Sequence, residues 1–146
     1  MIKAIQALLT GLLIVFVMDF LFFLGLQLHY LDSQGIKVYY NTLFADNQNP
    51  FVFFPLVFLT AWISNYWSYR KSALSLLGIL FLIALSPLLP SVGLYTGDAL
   101  FRQKNITISV PPHVYKGDVI YTDRNQLYFY DTDLKCIITL PRSLHQ

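Results

Sequence analysis

One carboxylic acid stands inside an otherwise apolar run, and it is the residue of this chain best placed to do chemistry. Asp19 lies within residues 4–28, a stretch long enough to cross a bilayer. At 1.5 Å per residue it sits about 22 Å from Ala4, in the outer half of a hydrocarbon core of about 30 Å. A carboxylate there costs about 2.5–3.5 kcal/mol on insertion scales, so it must be protonated, face water, or pair. No Lys or Arg occurs in the two later apolar runs, 51–67 and 73–95, which removes an internal ion pair. At a similar depth an antiparallel second span brings Thr60 close, and a third brings Ser86. Asp19, Thr60 and Ser86 are therefore the expected intramembrane polar contact. The alternatives are a basic or polar group on a partner subunit, and a proton-carrying step. A single acid without a second titratable group is thin material for a relay.

The remaining reactive residue types are sparse. Cys136, the single cysteine, lies in a strand-like stretch beside Ile137 and Ile138, which predicts a buried, inert thiol. A nucleophile needs a base, and the tail offers only His113 and His145, at no spacing typical of a Cys/His pair. With His29 also far away in sequence, no metal site is expected. No P-loop, dinucleotide fingerprint, zincin helix or nucleophile elbow occurs, so no catalytic residue and no cofactor are expected. Asn105-Ile106-Thr107 matches the glycosylation triplet, a pattern that arises often by chance. Tyr115, Tyr121, Tyr128 and Tyr130 form the candidate partner surface, since exposed tyrosines suit recognition. Ordinary strand packing is the competing explanation for them.

The elements that must position these residues follow from composition. Of 146 residues 55% are hydrophobic and only 12% charged. Soluble domains carry roughly 25% charged residues, so about half the usual solvated surface is missing and lipid must face the rest. The mean hydropathy of +0.53 agrees. A net charge of +2 is too small to suggest nucleic acid as a partner. Every acidic residue is Asp, so long solvated helices built on Glu–Lys pairs are not expected. The first run outlasts the ~7–15 residues of a signal sequence core, and no small-x-small cleavage site follows it, which predicts an uncleaved anchor.

Three spans are expected. The first covers about 4–28. A connector, 29–50, is polar at its ends and apolar in the middle, where Ile36, Val38, Tyr39, Tyr40, Leu43 and Phe44 suit a short amphipathic turn on the membrane surface. The second span, about 51–67, has an aromatic belt of Trp62, Tyr66, Trp67 and Tyr69, with Pro55 placed near its first turn. The third starts at Ala73, and Pro87 and Pro90 predict either a kink or an end near Ser86 with the remainder at the interface. Gly11 and Gly78 permit close helix approach, and no Gly-x-x-x-Gly pair falls inside any of the three spans.

From about residue 96 the chain alternates β-branched and aromatic residues between turn signals. Strands are expected at 106–110, 119–122, 127–130 and 136–140, the last three as a meander turning at 123–126 and 131–134. Leu127 and Phe129 then share a core face, and Tyr128 and Tyr130 the opposite one. A tail of roughly 45 residues is close to the ~40 below which staples or partners are needed, so it must lean on the membrane surface, the connector or another protein.

Lys3, Arg70 and Lys71 place the N-terminus and the 68–72 loop in the cytoplasm by the positive-inside rule, against a smaller opposing bias from Arg102 and Lys104. The expected fold is thus a membrane α-helical region of three transmembrane helices (1–95) followed by a small antiparallel β domain (96–146). The expected setting is a bacterial inner membrane, with the β domain periplasmic. The expected function is a non-catalytic subunit or scaffold of a membrane complex that binds other membrane or envelope proteins through the β domain. An immunity or inhibitor protein against a toxin, and a proton- or ion-coupled transport component using Asp19, are the alternatives. The expected partners are the lipid bilayer and envelope proteins, with self-association open.

Overall fold

The computed structural model describes residues 2–110 and 113–142. Helix α1 runs from Ile2 to Leu26 and does not stop at residue 28. It continues as a π-helical turn, Gln27–Leu31, and a 3-10 turn, Asp32–Gln34, closed by Gly35 at φ 72°. The helix persists because Leu26, Tyr30 and Leu31 are fully buried rather than left at a water boundary.

The connector folds into helix α2, Tyr40–Asn47, laid alongside α1. The Tyr40 hydroxyl donates to the Phe20 carbonyl at 2.7 Å, and Phe44 meets Phe16 and Phe23 edge to face. Helix α3, Pro50–Tyr66, starts with Pro50 in its first turn, and Asn49 Oδ1 accepts the Phe51 N–H at 2.9 Å. Pro55 falls in the second turn rather than the first, so the Phe51 carbonyl loses its intrahelical donor, yet the helix continues. Helix α3 is antiparallel to α1. Their backbones touch at Gly11, where a Cβ would come within 2.4 Å of the Val57 carbonyl oxygen.

Helix α4 spans Arg70–Leu85 and ends in a 3-10 turn, Ser86–Leu88. Pro87 has no N–H to continue the ladder, and Pro90 then opens helix α5, Pro90–Phe101. Ile2–Gln34 and Arg70–Leu88 are the two described helices long and apolar enough to cross a membrane. Helix α3, at 17 residues, is shorter than that measure.

Strands β1 (Gln103–Val110), β2 (His113–Thr122), β3 (Gln126–Asp131) and β4 (Cys136–Pro141) form one antiparallel sheet in the order β1-β2-β3-β4. Both expected turns appear, and β1 and β2 are longer than their expected segments. On one face Ile108, Val119, Leu127 and Phe129 make a buried cluster flanked by Ile106, Tyr115, Ile138 and Leu140. On the other, Ile120 and Tyr121 join Phe23, Leu26, Tyr30, Leu31, Ile36, Val38 and Leu43 in a single core. The sheet therefore leans on the end of α1 and on the connector. The apolar middle of the connector is accordingly turned inward at Ile36, Val38 and Leu43.

Candidate functional site

Asp19 lies on one wall of a cavity of about 550 Å³ between α1, α3, α4 and α5. Its position follows from the α1–α3 register. With Gly11 packed on Val57 and Ala61, Asp19 lies two turns further along α1, beside the residues that start α3. The chain there is polar: Asn47, Gln48 and Asn49 line the cavity, and Gln48 Nε2 is 3.4 Å from Asp19 Oδ2. The rest of the lining is apolar, including Phe22, Phe53, Leu80 and Phe101. Tyr40 stands just outside. Burial pushes its phenol up to about 12.

Thr60 and Ser86 do not meet Asp19. The Thr60 hydroxyl turns back to the Leu56 carbonyl at 2.8 Å, with the Gly11 carbonyl 3.4 Å away. Gly11 and Asp19 are eight residues apart, about 12 Å along the helix. Ser86 Oγ donates to the Ile83 carbonyl at 2.8 Å in its own chain segment. Depth counting assumed three equal spans with their ends level. The α2 segment instead brings the polar turn 47–49 down to Asp19, so amides from the connector take the place of hydroxyls from the helices.

The four tyrosines do not form one surface. Tyr121 is 1% exposed and packs edge to face on Phe101, and its hydroxyl lies 3.3 Å from Asn47 Nδ2. Burial raises its pKa. Tyr128 and Tyr130 are half-buried against the same core, whereas Tyr115 flanks the cluster on the opposite face. Simple alternation puts Tyr115 and Tyr121 on one side. A bulge in β2 between Val119 and Tyr121 breaks that parity and turns Tyr121 toward the helices. Cys136 also differs from expectation: it is exposed, because β4 is an edge strand and Cys136 is its first residue. His113 is exposed at the start of β2, and His145 lies outside the described residues.

Three features that hold the site were not anticipated. Gly93-Leu94-Tyr95-Thr96-Gly97 is a Gly-x-x-x-Gly pair that straddles the boundary drawn at residue 95. It seats α5 on α1: a Cβ at Gly93 would meet His29 Cβ at 2.8 Å, and one at Gly97 would meet Tyr30 Cγ at 2.1 Å. The Tyr30 hydroxyl passes beyond α5 and donates to the Ile120 carbonyl in β2 at 3.1 Å. Gly78, by contrast, has no atom within 4 Å of a would-be Cβ.

Second, Arg102 bridges α5 and the sheet, with Nε 3.1 Å from Asp118 Oδ2 and Nη1 3.3 Å from Asp98 Oδ2. The Asn105 N–H, 2.9 Å away, and then Arg102 hold the Asp118 carboxyl below its ordinary range. Asn105 adopts φ 58° at the β1 bulge to make that contact. Third, Arg124 in the β2–β3 turn reaches Asp46 at the end of α2, with Nε 2.9 and 2.7 Å from its two carboxylate oxygens. That pairing lowers the Asp46 pKa. Among the described residues these ion pairs involve Asp98, Asp118 and Asp46, and Asp19 has no cationic partner.

Among the described residues no group of three His, Cys or Asp side chains is placed to hold a metal ion. No family model matches this chain, and neither the curated proteins nor the solved structures include one similar to it at a significant level.

Proposed function

We propose that this chain is an integral membrane protein with three spans, α1, α3 and α4, which acts as a non-catalytic subunit or scaffold and presents its C-terminal sheet to another membrane or envelope protein. The observation that carries this reading is the shared core. Nine buried residues from α1, the connector and β2 tie the sheet to the helices, and two side-chain clamps, Arg102–Asp118 and Arg124–Asp46, reinforce the joint. A sheet held in this way is displayed at one fixed angle to an apolar helical body, as a docking element must be to limit the ordering cost of association.

The helical body supports the three-span reading. Large apolar side chains stay exposed along all three helices, among them Leu9 and Leu13 on α1, Phe54 and Phe58 on α3, and Ile79 and Leu82 on α4. In water so broad an apolar girdle is a liability, whereas in a bilayer it is the expected lipid face. Helix α3 at 17 residues spans about 25 Å, which serves if the bilayer thins or Trp62, Trp67 and Tyr69 anchor its end in the headgroups. Three passes put Lys3 and the sheet on opposite sides, and Lys3, Arg70 and Lys71 favour a cytoplasmic N-terminus. A bacterial inner membrane with a periplasmic sheet is the setting we favour.

The tyrosine set cannot serve as the contact surface as one patch, so the surface shifts to the end of the sheet away from Ile120 and Tyr121. Val114, 57% exposed in β2, and Leu134, 61% exposed in the β3–β4 turn, are its apolar residues, and the Thr132 N–H bonded to the Lys116 carbonyl ties their segments together. The test is photo-cross-linking in intact membranes from a reactive residue at 114 or at 134. One discrete protein adduct from both positions is expected. Adducts to lipid alone, together with a lone monomer in mild detergent, refute the subunit role.

A further inference from the structure

The cavity at Asp19 has a composition that selects for one kind of ligand. At about 550 Å³ it falls within the size range of small-molecule sites, roughly 300–1,000 Å³. One end is polar, made by the Asp19 carboxylate and the amides of the 47–49 turn. The remainder is apolar and aromatic. The carboxylate receives one long contact, 3.4 Å from Gln48, and no cation of the described chain reaches it. The carboxyl group thus has no counter-charge among the described residues, in a largely apolar cavity where a counter-charge is worth most.

We propose that this cavity binds an amphiphilic amine, with the ammonium group on Asp19 and the apolar chain between α3, α4 and α5. Four features fit. The two carboxylate oxygens accept ammonium hydrogens, and Gln48, whose Nε2 faces Asp19 Oδ2, accepts a third once its amide turns over. Phe22 and Phe53 line the cavity, and aromatic rings tolerate a cation or an alkyl chain. A single carboxylate with neutral amides is too sparse a donor set for a divalent cation. Val52 and Leu100, both more than half exposed, edge the cavity, so it opens past apolar side chains at the level where a membrane-dissolved amphiphile travels.

The same ammonium chemistry is carried by an aminophospholipid headgroup and by a free alkylamine. The test therefore uses probes that separate them. The protein is placed in phosphatidylglycerol nanodiscs with Trp62→Phe, Trp67→Phe and Phe53→Trp, leaving a single tryptophan, in the cavity wall, to be excited selectively over the tyrosines. Quenching by 11-bromoundecylammonium is compared with quenching by 11-bromoundecanol. The amine should quench at a concentration at least tenfold lower than the alcohol. Asp19→Asn should abolish that preference in the same discs, where attraction to the bilayer is unchanged, and Asp19→Glu should keep it. Ala84→Phe, which fills the apolar half, should weaken quenching by both probes.

Adding phosphatidylethanolamine then assigns the source: displacement of the amine identifies a lipid headgroup as the occupant, and undiminished quenching identifies a free amphiphile. Equal preference in the parent and the Asp19→Asn protein overturns the proposal, as does full quenching in the Ala84→Phe variant. The inference rests on membrane insertion and not on the partner reading. Failure of the unsubstituted protein to enter nanodiscs would count against the former, and an unaltered preference in inserted protein against the amine site alone.

Discussion

Two glycine-to-alanine substitutions, chemically identical, should change stability in opposite directions. At Gly97 the added Cβ would lie 2.1 Å from Tyr30 Cγ and 2.4 Å from Cδ2. Tyr30 has little room to yield, since it is fully buried, its ring lies 5.9 Å from that of Phe101, and its hydroxyl is bonded to Ile120. Overpacking of this kind costs about 1–3 kcal/mol. With the ring held so closely, the cost falls in the upper part of that range, about 2–3 kcal/mol; removing a glycine from a helix returns up to about 1 kcal/mol, so a net loss of about 1–2 kcal/mol is expected for Gly97→Ala.

At Gly78 nothing lies within 4 Å, and Gly78→Ala should keep the whole gain, up to about 1 kcal/mol. The assay is thermal unfolding in one detergent, with hydrogen exchange at residues 119–121 as a second readout. Only Gly97→Ala should lose protection there, because α5 is wedged off the helix that supports β2. Tyr30→Ala removes the obstructing ring, so the double variant should show a coupling of about 1 kcal/mol or more in a double-mutant cycle. If Gly97→Ala proves as stable as the parent, or if Gly78→Ala is the more damaged of the two, the account of how α5 seats on α1 is refuted.

Other outcomes follow from the joints and from the topology. The folded Asp118 carboxyl titrates below its ordinary value near 3.9, so its contribution is present above about pH 4 and is lost as pH falls through the lower folded value. The stability gap between the parent and Asp118→Asn, measured by denaturation across pH, should thus stay constant from pH 8 to 5 and shrink in stronger acid. Arg124→Ala removes an exposed clamp, and its small effect on unfolding should vanish in high salt, where such pairs are screened. A Cβ at Gly117 would sit 1.9 Å from the Tyr130 carbonyl oxygen, so Gly117→Ala should part β2 from β3 and raise exchange in both strands. Cys136 is exposed, and a membrane-impermeant maleimide should modify it only from the face opposite a tag placed before Lys3. Modification from the tag's own side would reverse the three-span topology.

Much of the layout was legible in the linear pattern because it rests on period and run length. Apolar runs longer than 16 residues allow little else than apolar helices, and Pro87 with Pro90 marked where the third of them must kink or stop. Alternation around Leu127 and Phe129 located β3 and its inner face, and the polar tetrads that begin at Asp123 and Asp131 located both turns. These are local properties, decided within a few residues of chain by backbone sterics and by which face is oily.

What only the tertiary structure decided is which surfaces face each other. Thr60 was an attractive partner for Asp19 by depth, but the close approach at Gly11 sets the α1–α3 register two turns away from it. Gln48 came to the carboxylate through the fold of the connector, and no spacing rule reports a contact across 29 residues. Tyr121 went inside because a single bulged position reverses strand parity, a change invisible to a period-two count. The pattern of residues determined the kinds of element and where they end. The placement of Asp19 in the wall of a cavity of about 550 Å³ came from packing, since contact between distant segments depends on the volume at each crossing and not on the order of residues along the chain.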